Sequence, residues 1–208
     1  GEVLSDSARD MLTDRSCLSV EGVLDFASTC NLEDVRALIE RQIDYNYAIA
    51  EEGMRHSWGA NIGSVLKEHY GVGIYSRARY MAAAGSDARM SGCEMPVIIV
   101  SGSGNQGITA SVPVVEYAKE LNVSRDQMVR AVLLSDLLTI HLKTGIGRLS
   151  AYCGAVSAGC SAGATIAYLH GGGFREIAHT LVNSLAIVSG MICDGAKASC
   201  AAKISAAV

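Results

Sequence analysis

Residues 96–121 read PVIIVSGSGNQGITASVPVVEYAKEL, and three successive patterns in this stretch set the fold class. Pro96–Val100 is a short apolar run that reads as a buried extended segment. Ser101–Gly107 (SGSGNQG) follows as a glycine- and serine-rich loop. From Ile108 to Leu121 the apolar residues recur at helical spacing, so the loop delivers the chain into a helix.

Downstream, Ser124 and Gln127 form an S-x-x-Q capping box. It opens a helix that buries Met128, Val132, Leu134, Leu138 and Ile140. Gly145 and Gly147 break that pattern. Helices are then expected over Leu149–Leu169 and Phe174–Ile192, separated by Gly171–Gly173, and again after Gly195. Upstream, helices are expected over Ser76–Met90, interrupted near Gly85, and over Ile62–Tyr70, stopped by Gly71 and Gly73. Asn31 with Asp34 resembles an N-cap, after which Val35, Ile39, Ile43, Tyr47, Ala50 and Met54 trace one amphipathic face. The expected fold is mainly α: a compact multi-helix domain with one Gly/Ser-rich ligand-binding loop and one short extended segment. No fixed-period repeat, low-complexity linker or charge boundary divides it.

Composition narrows the function. A chain of 208 residues, half apolar and 18% charged, builds a real core and is not disordered. A net charge of -4 with no Lys/Arg run leaves no footprint for nucleic acid or a membrane surface. Only two prolines accompany 22 glycines, which favours helices punctuated by loops. The seven cysteines are an odd number and no secretory signal precedes them, which argues against a disulfide framework and for the cytoplasm. Between Arg148 and Arg175 no charged residue occurs, a span long enough for a bilayer. Its content is Ser, Gly, Ala and Thr rather than Leu or Phe, so a tightly packed core helix is expected, with Gly159 and Gly163 admitting another backbone. The chain begins with Gly1 and ends in helix formers without a stop signal (AAKISAAV), so an internal fragment of a longer protein is expected.

Two constellations carry chemistry. In SGSGNQG, successive N–H groups ahead of a helix make an anion nest, and Ser101, Ser103, Asn105 and Gln106 add side-chain donors. A carboxylate or a phosphate suits it; the alternative is a helix-entry loop whose Ser and Asn cap the backbone. It is neither a Walker A loop nor a dinucleotide fingerprint. Cys153 and Cys160 are seven apart on one helical face, and Cys193 and Cys200 are seven apart around Gly195, whose turn lets both thiols reach one metal centre. Thiolates suit zinc or an iron–sulfur cluster. The spacing matches no C-x2-C pattern, so buried structural thiols remain the competing reading. The five histidines are scattered and none is assigned a role, while the tyrosines and methionines read as core or interface.

Taken together, SGSGNQGITASVPV (101–114), the Cys153 helix and MICDGAKASC (191–200) are similar to the L-cysteine desulfidase family, itself related to the α-domain of iron–sulfur L-serine dehydratases. The resemblance covers roughly 75–208 and more weakly the helices before it. It implies a serine dehydratase α-like domain in which 1–95 is a helical support region and 96–208 carries the substrate loop and cluster ligands. It also implies that Cys153, Cys193 and Cys200 hold a four-iron–four-sulfur cluster, with Cys160 as second choice. Ser101, Ser103, Gly104, Asn105 and Gly107 would then hold the carboxylate of a small amino-acid substrate. The implied reaction is β-elimination, from L-cysteine to pyruvate, ammonia and sulfide or from L-serine to pyruvate and ammonia. The general base would lie outside this chain, in a missing N-terminal segment or a second subunit, and a homo-oligomer is a further expectation. The final cysteine lacks the longer, proline-containing approach of the dehydratases, which favours the desulfidase branch. Two alternatives stay open: a pyridoxal-phosphate lyase using Lys143 or Lys197, and a non-catalytic helical subunit-interaction module.

Overall fold

Small residues at particular positions set how closely the helices of this chain approach. The computed structural model describes residues 14–147 and 150–208. Among them are nine α-helices: α1 (Val20–Thr29), α2 (Arg36–Arg55), α3 (Ile62–Tyr70), α4 (Ile74–Met90), α5 (Gly104–Glu120), α6 (Arg125–Thr144), α7 (Gly154–Leu169), α8 (Phe174–Ile187) and α9 (Ser199–Ala207). No β-strand occurs among the described residues; the extended chain makes only two isolated bridges.

In α4 every residue from Tyr80 to Ala88 is buried, and in α5 every residue from Gly104 to Glu116. Helices enclosed on all sides are the core of a bundle rather than its surface. α2 packs along α4 and α5, while α6 and α7 close the other side of α5. α8 covers α7, α1 covers α6, and α9 lies against both α4 and α7. Close packing depends on glycine at particular contacts: a Cβ at Gly53 of α2 would run into the backbone of Ala84 in α4. Likewise a Cβ at Gly159 of α7 would meet the backbone of Ala207 in α9, whereas Gly163 has only ordinary contact with Thr180. The uncharged stretch is therefore a packed helix at Gly159, as expected. No described helix is long and apolar enough to cross a membrane.

The mainly helical expectation holds, and the Ile62–Tyr70 helix has its expected bounds. Ser124 Oγ accepts the Gln127 N–H at 3.2 Å and caps α6. Asn31 caps a three-residue 3-10 turn, Leu32–Asp34, so α2 begins only at Arg36. α4 runs through Gly85 without interruption, because the missing Cβ there leaves room for Ala50 and Ile108. Pro113 sits inside α5, although internal prolines are poorly tolerated in helices. α8 stops at Ile187 rather than Ile192, since the chain turns at Gly190 (φ 87°) to run extended beside residues 151–153. α7 begins at Gly154; Leu149 lies outside the described residues, and Ser150–Cys153 is not helical.

The extended segment before the loop is held without a partner strand. Asn46 of α2 accepts the Ile98 N–H at 2.8 Å and donates to the Ile98 carbonyl at 3.1 Å, so one side-chain amide replaces a neighbouring strand. Gly107 passes so close beneath Ile98 that a Cβ would collide with its carbonyl oxygen. α5 starts at Gly104, which makes the second half of SGSGNQG the first turn of the helix.

Candidate functional site

A tight turn opens the loop. Val100 and Ser103 exchange two backbone hydrogen bonds of 3.2 Å across Ser101 (φ 48°) and Gly102 (φ 89°), both in the left-handed region that glycine enters without strain. The turn and the first residues of α5 form one wall of a cavity of about 290 Å³. Gly102, Ser103, Asn105 and Gln106 line it; Ser101, Gly104 and Gly107 do not. Gly104 instead gives way to the Arg89 guanidinium, and Gly107 to Ile98, so these two glycines serve protein packing.

Cys153, Cys193 and Cys200, each from a different segment, line the same cavity. Cys153 is the residue before α7, Cys200 sits in the first turn of α9, and Cys193 lies on the extended return from α8. Two backbone bonds fasten the first and third of these segments: Cys193 N–H donates to Ala151 at 2.6 Å, and Cys153 N–H to Met191 at 3.1 Å. The loop between Cys193 and Cys200 turns at Gly195 (φ 94°). An ion pair between Lys203 and Asp194 ties it down, together with a 3.0 Å bond from Lys203 Nζ to the Ile192 carbonyl. Cys160 is placed elsewhere: fully buried in the core, off the cavity wall, its thiol pushed by burial up to about 11.

Cations face these thiols. Burial pushes the Cys153 thiol up and the thiols of Cys193 and Cys200 act the same way, while the Ala155 N–H and Lys203 pull it down. Lys143, only 2% exposed, reaches the cavity from the end of α6; burial lowers its ordinary value and Cys153 and Cys193 oppose that. Arg89 of α4 donates to Asn105 Oδ1 at 3.2 Å, its value lowered by burial against the pull of Cys200. Lys197 is exposed and lies off the cavity.

All seven cysteines are free thiols. Among the described residues no three His, Cys, Asp or Glu side chains converge tightly enough for a single metal ion. Three thiols line this cavity, and thiolates are the donors that zinc and iron–sulfur clusters take.

Arg89 and Lys143 were not singled out as site residues by the loop and cysteine motifs. A signal for Lys143 exists: Val132, Asp136, Thr139 and Lys143 share one stripe of α6, so the lysine falls on the buried face. For Arg89 the sequence carries no comparable mark.

The chain is a member of the serine dehydratase alpha chain family, whose model matches residues 6–208. Its similar proteins include a UPF0597 protein of Desulfitobacterium hafniense, 61% identical over 98% of this chain and 47% of the relative. Another, from Lachnoclostridium phytofermentans, is 56% identical over 96% of this chain and 48% of the relative. One from Treponema denticola is 50% identical over 98% and 48%. The chain thus spans about half the length of the curated relatives it matches. No solved structure matches it.

Proposed function

We propose that this chain is the cluster-holding half of a lyase that eliminates the β-substituent of a small amino acid. The substrate is L-cysteine, which with water gives pyruvate, ammonia and hydrogen sulfide, or L-serine, which gives pyruvate and ammonia. One observation carries the reading: Cys153, Cys193 and Cys200 line the same cavity as Ser103, Asn105 and Gln106. Membership of the serine dehydratase alpha chain family supports it.

Cys153, Cys193 and Cys200 would hold a four-iron–four-sulfur cluster, and three ligands on four irons leave one open for Lewis-acid activation of the β-hydroxyl or thiol. The residues of the chain do the rest. Backbone N–H groups at the start of α5, with Ser103 and Asn105, bind and orient the substrate carboxylate. Arg89 fixes the Asn105 side chain through its 3.2 Å bond. The base that removes the α-proton would come from the part of the longer relatives that this chain does not span, joined to it or as a second subunit. A reducing, cytoplasmic setting suits free thiols and an open iron.

A pyridoxal-phosphate lyase is favoured by one observation only, that Lys143 is buried at this cavity. The three cysteines lining the cavity have no part in that chemistry. A helical interaction module would not need them either. The test is anaerobic reconstitution of this chain and of the full-length Desulfitobacterium relative, followed by assay of pyruvate release from L-cysteine and L-serine. Iron-dependent release that survives borohydride, with no pyridoxal absorption, supports the lyase reading. Release that requires added pyridoxal phosphate, or none from the full-length protein with its cluster loaded, contradicts it.

A further inference from the structure

The loop that carries the chain from Cys193 to Cys200 is not held by packing. Every residue from Ile192 to Ser199 is exposed, and the backbone turns through the left-handed region at Gly195 (φ 94°). A segment with no buried side chain has little to set against its own conformational entropy, so polar contacts must do the holding.

Those contacts converge on one side chain. Lys203 lies three residues beyond Cys200 on α9, which puts the two on one face of the helix. Its ammonium donates to the Ile192 carbonyl at 3.0 Å and pairs with the Asp194 carboxylate, so it grips the chain on both sides of Cys193. The second Asp194 oxygen accepts from Ser199 Oγ at 3.2 Å, which closes the loop onto the residue beside Cys200. Lys203 thus links the segment of one cavity thiol to the helix of another. The charges of Cys153 and Cys200 also act on its ammonium.

Global stability does not account for this arrangement. The Asp194 side chain is 46% exposed, and ion pairs in contact with water contribute little to folding as a whole. The effect is local: the pair fixes where Cys193 stands relative to Cys200.

We propose that Lys203 is a positioning residue, clasping Ile192 and Asp194 so that the Cys193 thiol is held at the cavity with Cys153 and Cys200 before a cluster arrives. This rests on the cluster-holding reading and adds the residue that preorganises one of the ligands. A ligand fixed in advance holds its metal group longer, because a thiolate that detaches cannot swing away with a free loop. The ammonium adds an effect of the same sign, a positive charge close to thiolates.

The test compares the wild type with Lys203→Met, Asp194→Asn, Lys203→Arg and Lys197→Met in two measurements. Met keeps the hydrocarbon stem of Lys203, and Lys197→Met removes the same charge from the loop without opening the clasp. The first measurement is hydrogen exchange of the metal-free chain. The Cys193 and Cys200 amides should exchange about tenfold faster in Lys203→Met and Asp194→Asn, the loss expected for one charge-assisted contact, while amides of α5 are unaffected. The second is the rate at which a chelator strips iron after anaerobic reconstitution, followed by the visible absorption. It should rise about tenfold in the same two variants. Lys203→Arg should restore both rates, and Lys197→Met should match the wild type. Wild-type exchange in Lys203→Met, faster exchange with unchanged iron loss, or an equal effect of Lys197→Met would each overturn the proposal. A wild type that takes up no iron contradicts the cluster reading and, with it, the purpose of the clasp. A wild type that keeps its cluster beside variants with unaltered rates overturns the clasp alone.

Discussion

Asn46→Ala removes a clasp rather than a packing residue. The side chain is fully buried and makes three hydrogen bonds: from Ile98 N–H at 2.8 Å, to the Ile98 carbonyl at 3.1 Å and to Ser111 Oγ at 3.3 Å. Each is worth roughly 1 kcal/mol net, and the space vacated by the amide adds to the loss, so about 2–4 kcal/mol is expected. For a domain of this size that corresponds to a fall in Tm of roughly 5–15 °C. Urea unfolding followed by circular dichroism gives the global figure. Hydrogen exchange gives the local one: the Ile98 amide, whose acceptor is the Asn46 side chain, should lose its protection. Ser111→Ala, which deletes the longest of the three bonds together with the 2.8 Å bond from Ser111 Oγ to the Gly107 carbonyl, should cost about 1–2 kcal/mol and leave the Ile98 amide protected. Asn46→Ala within about 0.5 kcal/mol of the wild type, with the Ile98 amide still protected, would refute the idea that this amide takes the place of a strand.

Asp136 is buried, and desolvation pushes its carboxyl up to about 7 from 3.8, with the hydrogen bond from Gln42 opposing. The unfolded chain therefore releases this proton first, so stability falls as pH rises from about 4 to about 7; Asp136→Asn should remove that slope and add roughly 2–4 kcal/mol at pH 8, read from urea titrations across the range. Coincident pH profiles for the two proteins would count against it. Gly53→Ala forces a methyl against the Ala84 backbone and should destabilise by about 1–3 kcal/mol, whereas Gly163→Ala, whose methyl would make only ordinary contact with Thr180, should be neutral or slightly stabilising on the same assay. Cys160→Ala should keep full iron content after reconstitution, because that thiol lies in the core and off the cavity; loss of iron equal to that of Cys153→Ser would move the ligand assignment.

Local signals in the sequence carried the helices well. Where caps and breakers act within a few residues, as at Ser124 or Gly71, element ends agree to within a residue or two. The disagreements have long-range causes. The segment 96–100 is extended only because Asn46, 52 positions earlier, supplies its hydrogen bonds, and no periodicity records that. α8 ends early because residues 191–193 pair with 151–153, a contact again invisible in local propensity. At the site, the three cysteines and the polar loop were legible as chemistry, and Cys153, Cys193 and Cys200 line one cavity with Ser103 and Asn105. Ser101, Gly104 and Gly107 belong to the same motif yet serve the turn and the packing. Glycine permits close approach to a ligand and to a neighbouring backbone alike, and sequence does not distinguish the two.

The central claim is that Cys153, Cys193 and Cys200 hold one iron–sulfur cluster. Its most direct test is iron and acid-labile sulfide content, with the visible spectrum, of the anaerobically reconstituted wild type beside Cys193→Ser. Cys193 is exposed on the cavity rim, so its replacement should leave the fold intact. The account predicts broad thiolate-to-iron absorption with matched iron and sulfide in the wild type, and loss or marked depletion of both in the variant. Equal iron, sulfide and absorption in the two proteins, or a full-length protein that takes up neither, would contradict it.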